Sequence, residues 1–263
     1  PDGSYSVHAV VTAQAGNASA ASTTTNFSVD TGVPGALPLS VPEAADTFIN
    51  NAENADGIQT TVTLGSGAQA GDVVMLTYTR PDGSTGVLTH ALTAGEVTAG
   101  SVGLTIPSQS INGAYSAVAT VTDSGGNTSA ASAASNFNLN LTTPPTVTIT
   151  VPEAPLVNNA ENNDGTPAGI LANVSLPVGI TAGDTLTLSY TRPDASVGTV
   201  IKVVTLADVS AGSVNVTIPT QALQGPYSVS AVVTNPAGNA SASSTPATFA
   251  LDITAPPTPS LTI

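Results

Sequence analysis

The chain has no cysteine and no tryptophan, only three basic residues (Arg80, Arg192 and Lys202), and aromatics at 3% of its 263 residues. Each scarcity excludes something. Without cysteine there is no disulfide, no thiolate zinc site and no cysteine nucleophile. That fits a chain that crosses membranes unfolded and needs no oxidative folding, and it fits many cytosolic proteins too. Against 17 acidic residues and a formal net charge of -14, three scattered bases cannot form a phosphate-binding patch, so nucleic acid and anionic membranes are excluded as partners and cations are the expected counterparts. No apolar run approaches the ~20 residues of a membrane helix. No charged-then-apolar segment opens the chain, and residue 1 falls inside a repeat, so a targeting signal is expected outside this stretch. With so few aromatics, each core must be built from Val, Ala, Leu, Ile and Thr.

What the chain does have is a repeat. Gly3 to Asn17 (GSYSVHAVVTAQAGN) returns as Gly113 to Asn127 (GAYSAVATVTDSGGN) and as Gly225 to Asn239 (GPYSVSAVVTNPAGN), at intervals of 110 and 112 residues. A period of this size matches an immunoglobulin-like unit of about 100 residues. Within each copy every second residue is apolar (Tyr227, Val229, Ala231, Val233 in the third), the period of a strand with one buried face.

The spacing predicts seven short strands per full repeat. In the second they are 146–151, 170–176, 185–191, 198–206, 214–218, 227–234 and 248–253, separated by turns such as Ala182-Gly183-Asp184 and Ala237-Gly238-Asn239. Helical periodicity is not found. Tyr115 and Tyr227 open the sixth strand, where immunoglobulin-like folds carry a tyrosine bonded back to the preceding corner; a Tyr that merely fills the core reads the same. The expected fold is all-β: tandem immunoglobulin-like, seven-strand Greek-key β-sandwiches forming a rod. Residues 1–32 are the C-terminal part of one repeat, 33–142 and 143–254 are full repeats, and 255–263 start another. The linkers 31–38, 142–145 and 254–257 carry proline, which makes them short and stiff.

The most polar recurring stretch is Asn50-Asn51-Ala52-Glu53-Asn54-Ala55-Asp56-Gly57, echoed from Asn158 to Gly165 with Glu161 and Asp164. Carboxylate and amide oxygens suit a hard cation such as Ca²⁺, although the spacing is not that of an EF-hand. An Asx-rich turn bonding to its own backbone explains the same residues. Topology adds to the cation reading. In a seven-strand Greek key the loops after strands one and five and the chain exit share one pole, while the loops after strands two, four and six share the other. Asp30 is then expected to face Asp72, Glu96, Asp123 and Asn127, and Glu53, Asp56 and Asn140 to face Asp184, Asp208, Asn235 and Asn239. Glu161, Asp164 and Asp252 occupy the equivalent positions at the end of the second full repeat. Acidic groups brought together across a stiff linker repel unless a cation bridges them.

The combination of a strand-one Pro-Glu (Pro42-Glu43, Pro152-Glu153), the INNAEN and VNNAEN loops, an AGD before strand three, a Tyr strand ending in VTDSGGN and a closing D/N-x-T-x-x-P linker resembles the bacterial Ig-like repeats of giant biofilm-associated and RTX-type surface adhesins. The resemblance covers the whole chain. It implies secretion, an extracellular cell-surface location, a spacer or stalk role in cell adhesion and biofilm formation, and Ca²⁺ between repeats. Departures bear on the metal: the turn Asp is Asp123 in one copy but Ala13 and Asn235 in the others, and the closing Asp30 and Asp252 correspond to Asn140. The partners implied are neighbouring repeats of the same chain. As an alternative, the partial repeats are completed by other copies of the chain through strand addition, which would make a filament or sheath subunit. A carbohydrate-binding module is disfavoured by the missing tryptophan. Catalysis has little support. His8 and His90 show no positional partner, no Ser recurs with a His and an Asp, and the lone Lys202 cannot supply an isopeptide crosslink to every repeat. Asp82 and Asp194 read as turn residues, with little stabilisation expected from pairing with Arg80 and Arg192.

Overall fold

The computed structural model describes residues 1–165 and 167–261. The chain divides into two compact units, Pro1–Asn140 and Leu141–Ile263, and each contains a sandwich of β-strands whose side chains mostly alternate between core and solvent. The first unit begins with an antiparallel pair, β1 (Gly3–Val7) and β2 (Thr25–Val29), in which Tyr5 lies opposite Phe27 with the two rings stacked. Tyr5 and Phe27 remain 36% and 50% exposed.

The rest of that unit is a two-sheet sandwich. Its strands are β3 (Leu39–Ser40), β4 (Phe48–Ile49), β5 (Ile58–Thr63), β6 (Val73–Thr79), β7 (Thr85–Ala91), β8 (Ser101–Ile106), β9 (Gly113–Thr122) and β10 (Ser135–Leu139). They form a three-stranded sheet β3-β5-β8 and a five-stranded sheet β4-β10-β9-β6-β7. The second unit repeats the plan with β11 (Thr148–Thr150), β12 (Leu156–Asn158), β13 (Gly169–Ser175), β14 (Thr185–Thr191), β15 (Val197–Val203), β16 (Ser213–Pro219), β17 (Gly225–Thr234) and β18 (Ala247–Asp252), arranged as β11-β13-β16 and β12-β18-β17-β14-β15. Its core draws Ile170, Val174, Leu186, Leu188, Val229 and Val233 from the facing sheets, the apolar half of each alternation.

Two expectations are corrected. The first strand of each sandwich is not single. In the second unit β11 pairs with β13, and after Pro152 and Pro155 the chain resumes as β12, parallel to β18 in the other sheet. Prolines have no N–H for a ladder, so the strand is interrupted there and its two halves join different sheets. Among the described residues each sandwich therefore holds eight strands, the first of the expected seven being split in two. Short helices are also present: α1 (Asn51–Ala55), α2 (Ala94–Ala99) and α3 (Leu206–Ala211). At five or six residues they are too short to display a helical period, yet each opens with a capping box, Asn50 with Glu53, Thr93 with Glu96 and Thr205 with Asp208.

Two devices lock the five-stranded sheets. The hydroxyl of Tyr115 donates to the Ile111 carbonyl at 2.8 Å and that of Tyr227 to the Leu223 carbonyl at 2.7 Å, so the corner bond is present in both sandwiches. Both rings are buried and stack on Phe137 and Phe249. On the neighbouring strand Tyr190 lies opposite Gly198, where an added Cβ would sit 2.2 Å from the ring carbon Cζ. The Arg192 guanidinium covers the ring 4.8 Å from its centroid and donates to the Gln221 side chain at 2.8 Å. Tyr78, Gly86, Arg80 and Gln109 repeat this stack in the first unit. Asp82 and Asp194 accept from Ser84 and Ser196, which holds their carboxyls below the usual range.

Gly198→Ala is expected to displace the Tyr190 ring and destabilise the second sandwich by about 1–3 kcal/mol, the usual cost of overpacking. Tyr227→Phe, which removes one hydrogen bond, is expected to cost about 1 kcal/mol. Calorimetric unfolding of the whole chain checks both, with the larger shift predicted for the glycine.

Candidate cation site

The residues expected to meet a cation are placed by turns, and each is first of all a turn or cap residue. After β9 the chain reverses through Asp123-Ser124-Gly125-Gly126-Asn127. Asp123 Oδ1 accepts the Asn127 backbone N–H at 2.8 Å, and the Asn127 amide donates to Asp123 Oδ2 at 3.1 Å and to the Asp30 carbonyl at 3.2 Å. Gly125 permits the close approach, since a Cβ there would lie 3.0 Å from the Asp30 Cβ. Burial raises the Asp123 carboxyl pKa, but the N–H donors of Asn127, Gly125 and Gly126 together outweigh it and hold the group below its ordinary value.

Asp30, Asp72 and Asp123 line one cleft of about 460 Å³ with Leu37, Gln69 and Val121. Asp72 is only 4% exposed, and its Oδ2 accepts the Gln69 N–H at 2.8 Å. The ion pairs among the described residues are His90 with Glu96 and Lys202 with Asp208, so Asp72 has no cationic side chain beside it. Three of the residues expected to meet at this end thus line a common cleft, and Asn127 bonds to the Asp30 carbonyl. Glu96 has other partners. Its carboxylate accepts the Thr93 N–H at 2.8 Å and stands 2.9 Å from His90 Nε2. These contacts, the Thr93 N–H foremost, pull its pKa down to about 2. His90, expected to lack a partner, has one.

In the second unit Asp184 is buried and accepts the Thr181 N–H at 2.8 Å, as Asp72 accepts Gln69. Asp208 caps α3 and takes Lys202 at 3.4 Å; the Thr205 hydroxyl and N–H are the main causes that hold its pKa down. Asn235, standing where the first unit has Asp123, accepts the Asn239 N–H at 3.0 Å and donates its amide to the Thr142 carbonyl at 2.8 Å. The exchange of Asp for Asn therefore adds a direct bond to the segment preceding the sandwich.

At the opposite pole, Glu53 and Glu161 accept the N–H groups of Asn50 and Asn158 at 2.9 Å. Asp56 is the C-cap of α1, and Asp252 accepts the Thr254 N–H. The Asn140 N–H donates to the Ile49 carbonyl at 3.0 Å. Asp164 is exposed. The neighbouring buried amides were not anticipated: Asn54 and Asn162 each exchange two hydrogen bonds with the backbone of Gln109 and Gln221. These four bonds join the loop after the first strand to the loop after the fifth. Their signal was an Asn in the polar loop and a Gln after the fifth strand in both repeats, 55 residues apart in the first and 59 in the second. Glu153 was missed as well: burial first, then the nearby Asp164 and Glu161 charges, raises its carboxyl pKa, and its Oε2 has no hydrogen-bond partner among the described residues. Among the described residues no three His, Cys, Asp or Glu side chains are grouped to hold a metal by themselves, so any cation here would also draw on amide, carbonyl or water oxygens.

No protein-family model and no curated protein matches the sequence. Among solved structures the chain is similar to a tetra-tandem repeat in the extending region of a large adhesion protein, at 22% identity over 95% of this chain and 57% of that one, TM-score 0.34. It is also similar to a structure from a 1.5-MDa bacterial ice-binding adhesin (19% identity, 84% and 66% covered, TM-score 0.37) and to the FN1–FN3 domains of chicken CNTN1 (13%, 94% and 77%, TM-score 0.44). The chain spans less than two thirds of each of the two adhesin structures.

The depressed Glu96 pKa fixes a sign. Its folded value of about 2 lies below the ordinary 4.5, so its contribution is complete above pH 4.5 and is lost as pH falls towards 2. Glu96→Gln is expected to lower the melting temperature at neutral pH and to lose that deficit at pH 2, measured as melting temperature against pH for both proteins.

Proposed function

We propose that the chain is a spacer segment of a bacterial cell-surface adhesin, outside the cell, in which tandem sandwiches extend the molecule and Ca²⁺ stiffens the connection at the Asp30, Asp72 and Asp123 cleft. The observation that carries the reading is the use of sandwich side chains to grip connecting segments: Asn127 on the Asp30 carbonyl and Asn235 on the Thr142 carbonyl. Each sandwich would add roughly 35–40 Å, from strands of about ten residues at ~3.3 Å each. Net negative charge supports the same role, keeping neighbouring molecules apart at low cation concentration. The reading is of a mechanical protein.

The cleft offers hard oxygen donors of the kind Ca²⁺ takes, carboxylate and backbone carbonyl oxygens, and since among the described residues no three carboxylates are grouped there, water would complete the 6–8 positions. Bound there, the ion would offset the charge of the buried Asp72 and link it through water to the other acids of the cleft. In the second unit, where Asn235 replaces the aspartate, the direct bond to Thr142 takes over part of that task.

A second reading, a filament or sheath subunit completed by strand addition from another chain, is favoured by the exposed apolar face of β1 and β2. Electron microscopy without added partner separates it from a monomeric spacer.

Small-angle scattering and thermal melting of the whole chain, in Ca²⁺ and in chelator, test the cation. Ca²⁺ is expected to raise both the maximum dimension and the melting temperature, and Asp123→Asn to weaken the response by about tenfold or more, since a ligand charge is lost. An unchanged dimension and melting temperature would sink the Ca²⁺ assignment and leave the spacer role to the proline linkers.

A further inference from the structure

The free edge of the second unit's five-stranded sheet is unprotected. β15 is the terminal strand, paired with β14 on one side. The ladder phase follows from its ends. The Arg192 N–H donates to the Ser196 carbonyl at 2.9 Å and the Val204 N–H to the Asp184 carbonyl at 2.8 Å. Antiparallel pairing alternates, so Gly198, Val200 and Lys202 turn their N–H and C=O groups to β14, while Val197, Thr199, Ile201 and Val203 turn theirs to the open side. Those same four residues carry the exposed side chains of the strand, with Val197, Ile201 and Val203 at 62%, 66% and 57%.

Edge strands are ordinarily blunted by proline, a bulge or an outward charge. β15 has no proline, and the chain from Ala195 to Ala207 has no carboxylate. Its one charge, Lys202, points away from the edge: Nζ lies 3.4 Å from Asp208 Oδ1 and 3.3 Å from the Asn215 carbonyl on β16. The lysine thus ties the strand to the other sheet and leaves the open backbone groups uncovered. The equivalent strand of the first unit, β7, presents Thr85, Val87, Thr89 and Ala91 at the same positions, a much less apolar row.

We propose that β15 is a self-association surface, pairing antiparallel with β15 of a second copy of this chain about a two-fold axis at Val200. The sequence is self-complementary in that register. Val197 meets Val203, Thr199 meets Ile201, and Lys202 meets Gly198, so apolar and β-branched residues oppose one another on the outer face and no like charges are opposed. Charge singles out this edge as well: two copies of net charge -14 repel, and here a stretch bearing a cation and no carboxylate meets its own like. The contact of one seven-residue strand pair is far below the ~1,200 Å² of a stable interface. Single pairs are therefore weak and reversible, and become effective where many copies are held side by side. This inference does not depend on the Ca²⁺ assignment.

Sedimentation equilibrium of the whole chain at high salt, which screens the net charge, tests it. The weight-average mass is expected to rise with concentration towards the dimer. Val203→Lys, an outward charge on the edge, and Thr199→Pro, which deletes an N–H facing the open side and spares the β14 ladder, are each expected to weaken association by about tenfold or more. A mixture of Val197→Glu and Val203→Lys chains is expected to associate more tightly than either alone, because those positions are directly opposed; a mixture no tighter than its components overturns the register. Melting curves confirm that each variant is folded. A parent chain that stays monomeric throughout overturns the proposal. So does association unchanged in both edge variants, which would place the contact on the exposed face of β1 and β2.

Discussion

The bond from a tyrosine hydroxyl to a carbonyl four residues earlier is the constraint on which each sandwich rests. Tyr227 lies on β17, which pairs with both β14 and β18, so fixing where β17 begins fixes the register of the sheet around it. The ring beside that hydroxyl stacks on Phe249, and the small residues that follow, Val229, Ala231 and Val233, are buried against the facing sheet. A chain poor in aromatics thus concentrates them at the one corner where a ring and a hydrogen bond act together. The other end of the same strand turns through Asn235 to Asn239 and takes hold of the preceding segment. Core and connection are set by a single strand.

A second theme is how a strongly acidic chain uses its carboxylates. With three basic side chains available, most acids are satisfied by N–H groups of the backbone: Glu53, Glu96 and Asp208 at caps, Glu161 on Asn158, Asp72 and Asp184 in the turn before the third strand. Such bonds satisfy a carboxylate without a counter-charge. The pair at the fourth loop illustrates the latitude this leaves. His90 with Glu96 in one sandwich becomes Lys202 with Asp208 in the other, and the cap is kept while the cation changes.

That dual use explains what could be read from residues alone. The apolar alternation of Tyr115 to Val121, recurring at a fixed interval, was enough for strands, sandwich and repeat. β12 escaped because three residues just after a proline carry no period, and the helices escaped because one turn carries none either, although Thr93 with Glu96 was a readable cap. At the candidate site, Asp30, Asp72 and Asp123, grouped by topology, line one cleft. Glu96 was drawn into the same group because a repeated acid looks alike whether it serves a ligand or an N-terminal cap. The Glu153 environment depends on burial produced by folding, which a Pro-Glu dipeptide does not announce.

The split first strand has a mechanical consequence. Because β12 runs parallel to β18, the second half of the split strand is hydrogen-bonded directly to the last strand of the sandwich, and a pull that passes β11 and reaches β12 drags it and β18 in opposite directions along their common axis. The bonds between them are then loaded together in shear, not opened one at a time like a zipper. Resistance to such a pull is governed by the rate of unfolding and not by equilibrium stability. The proline pair that interrupts the strand thereby divides the load between the β11–β13 and β12–β18 pairings.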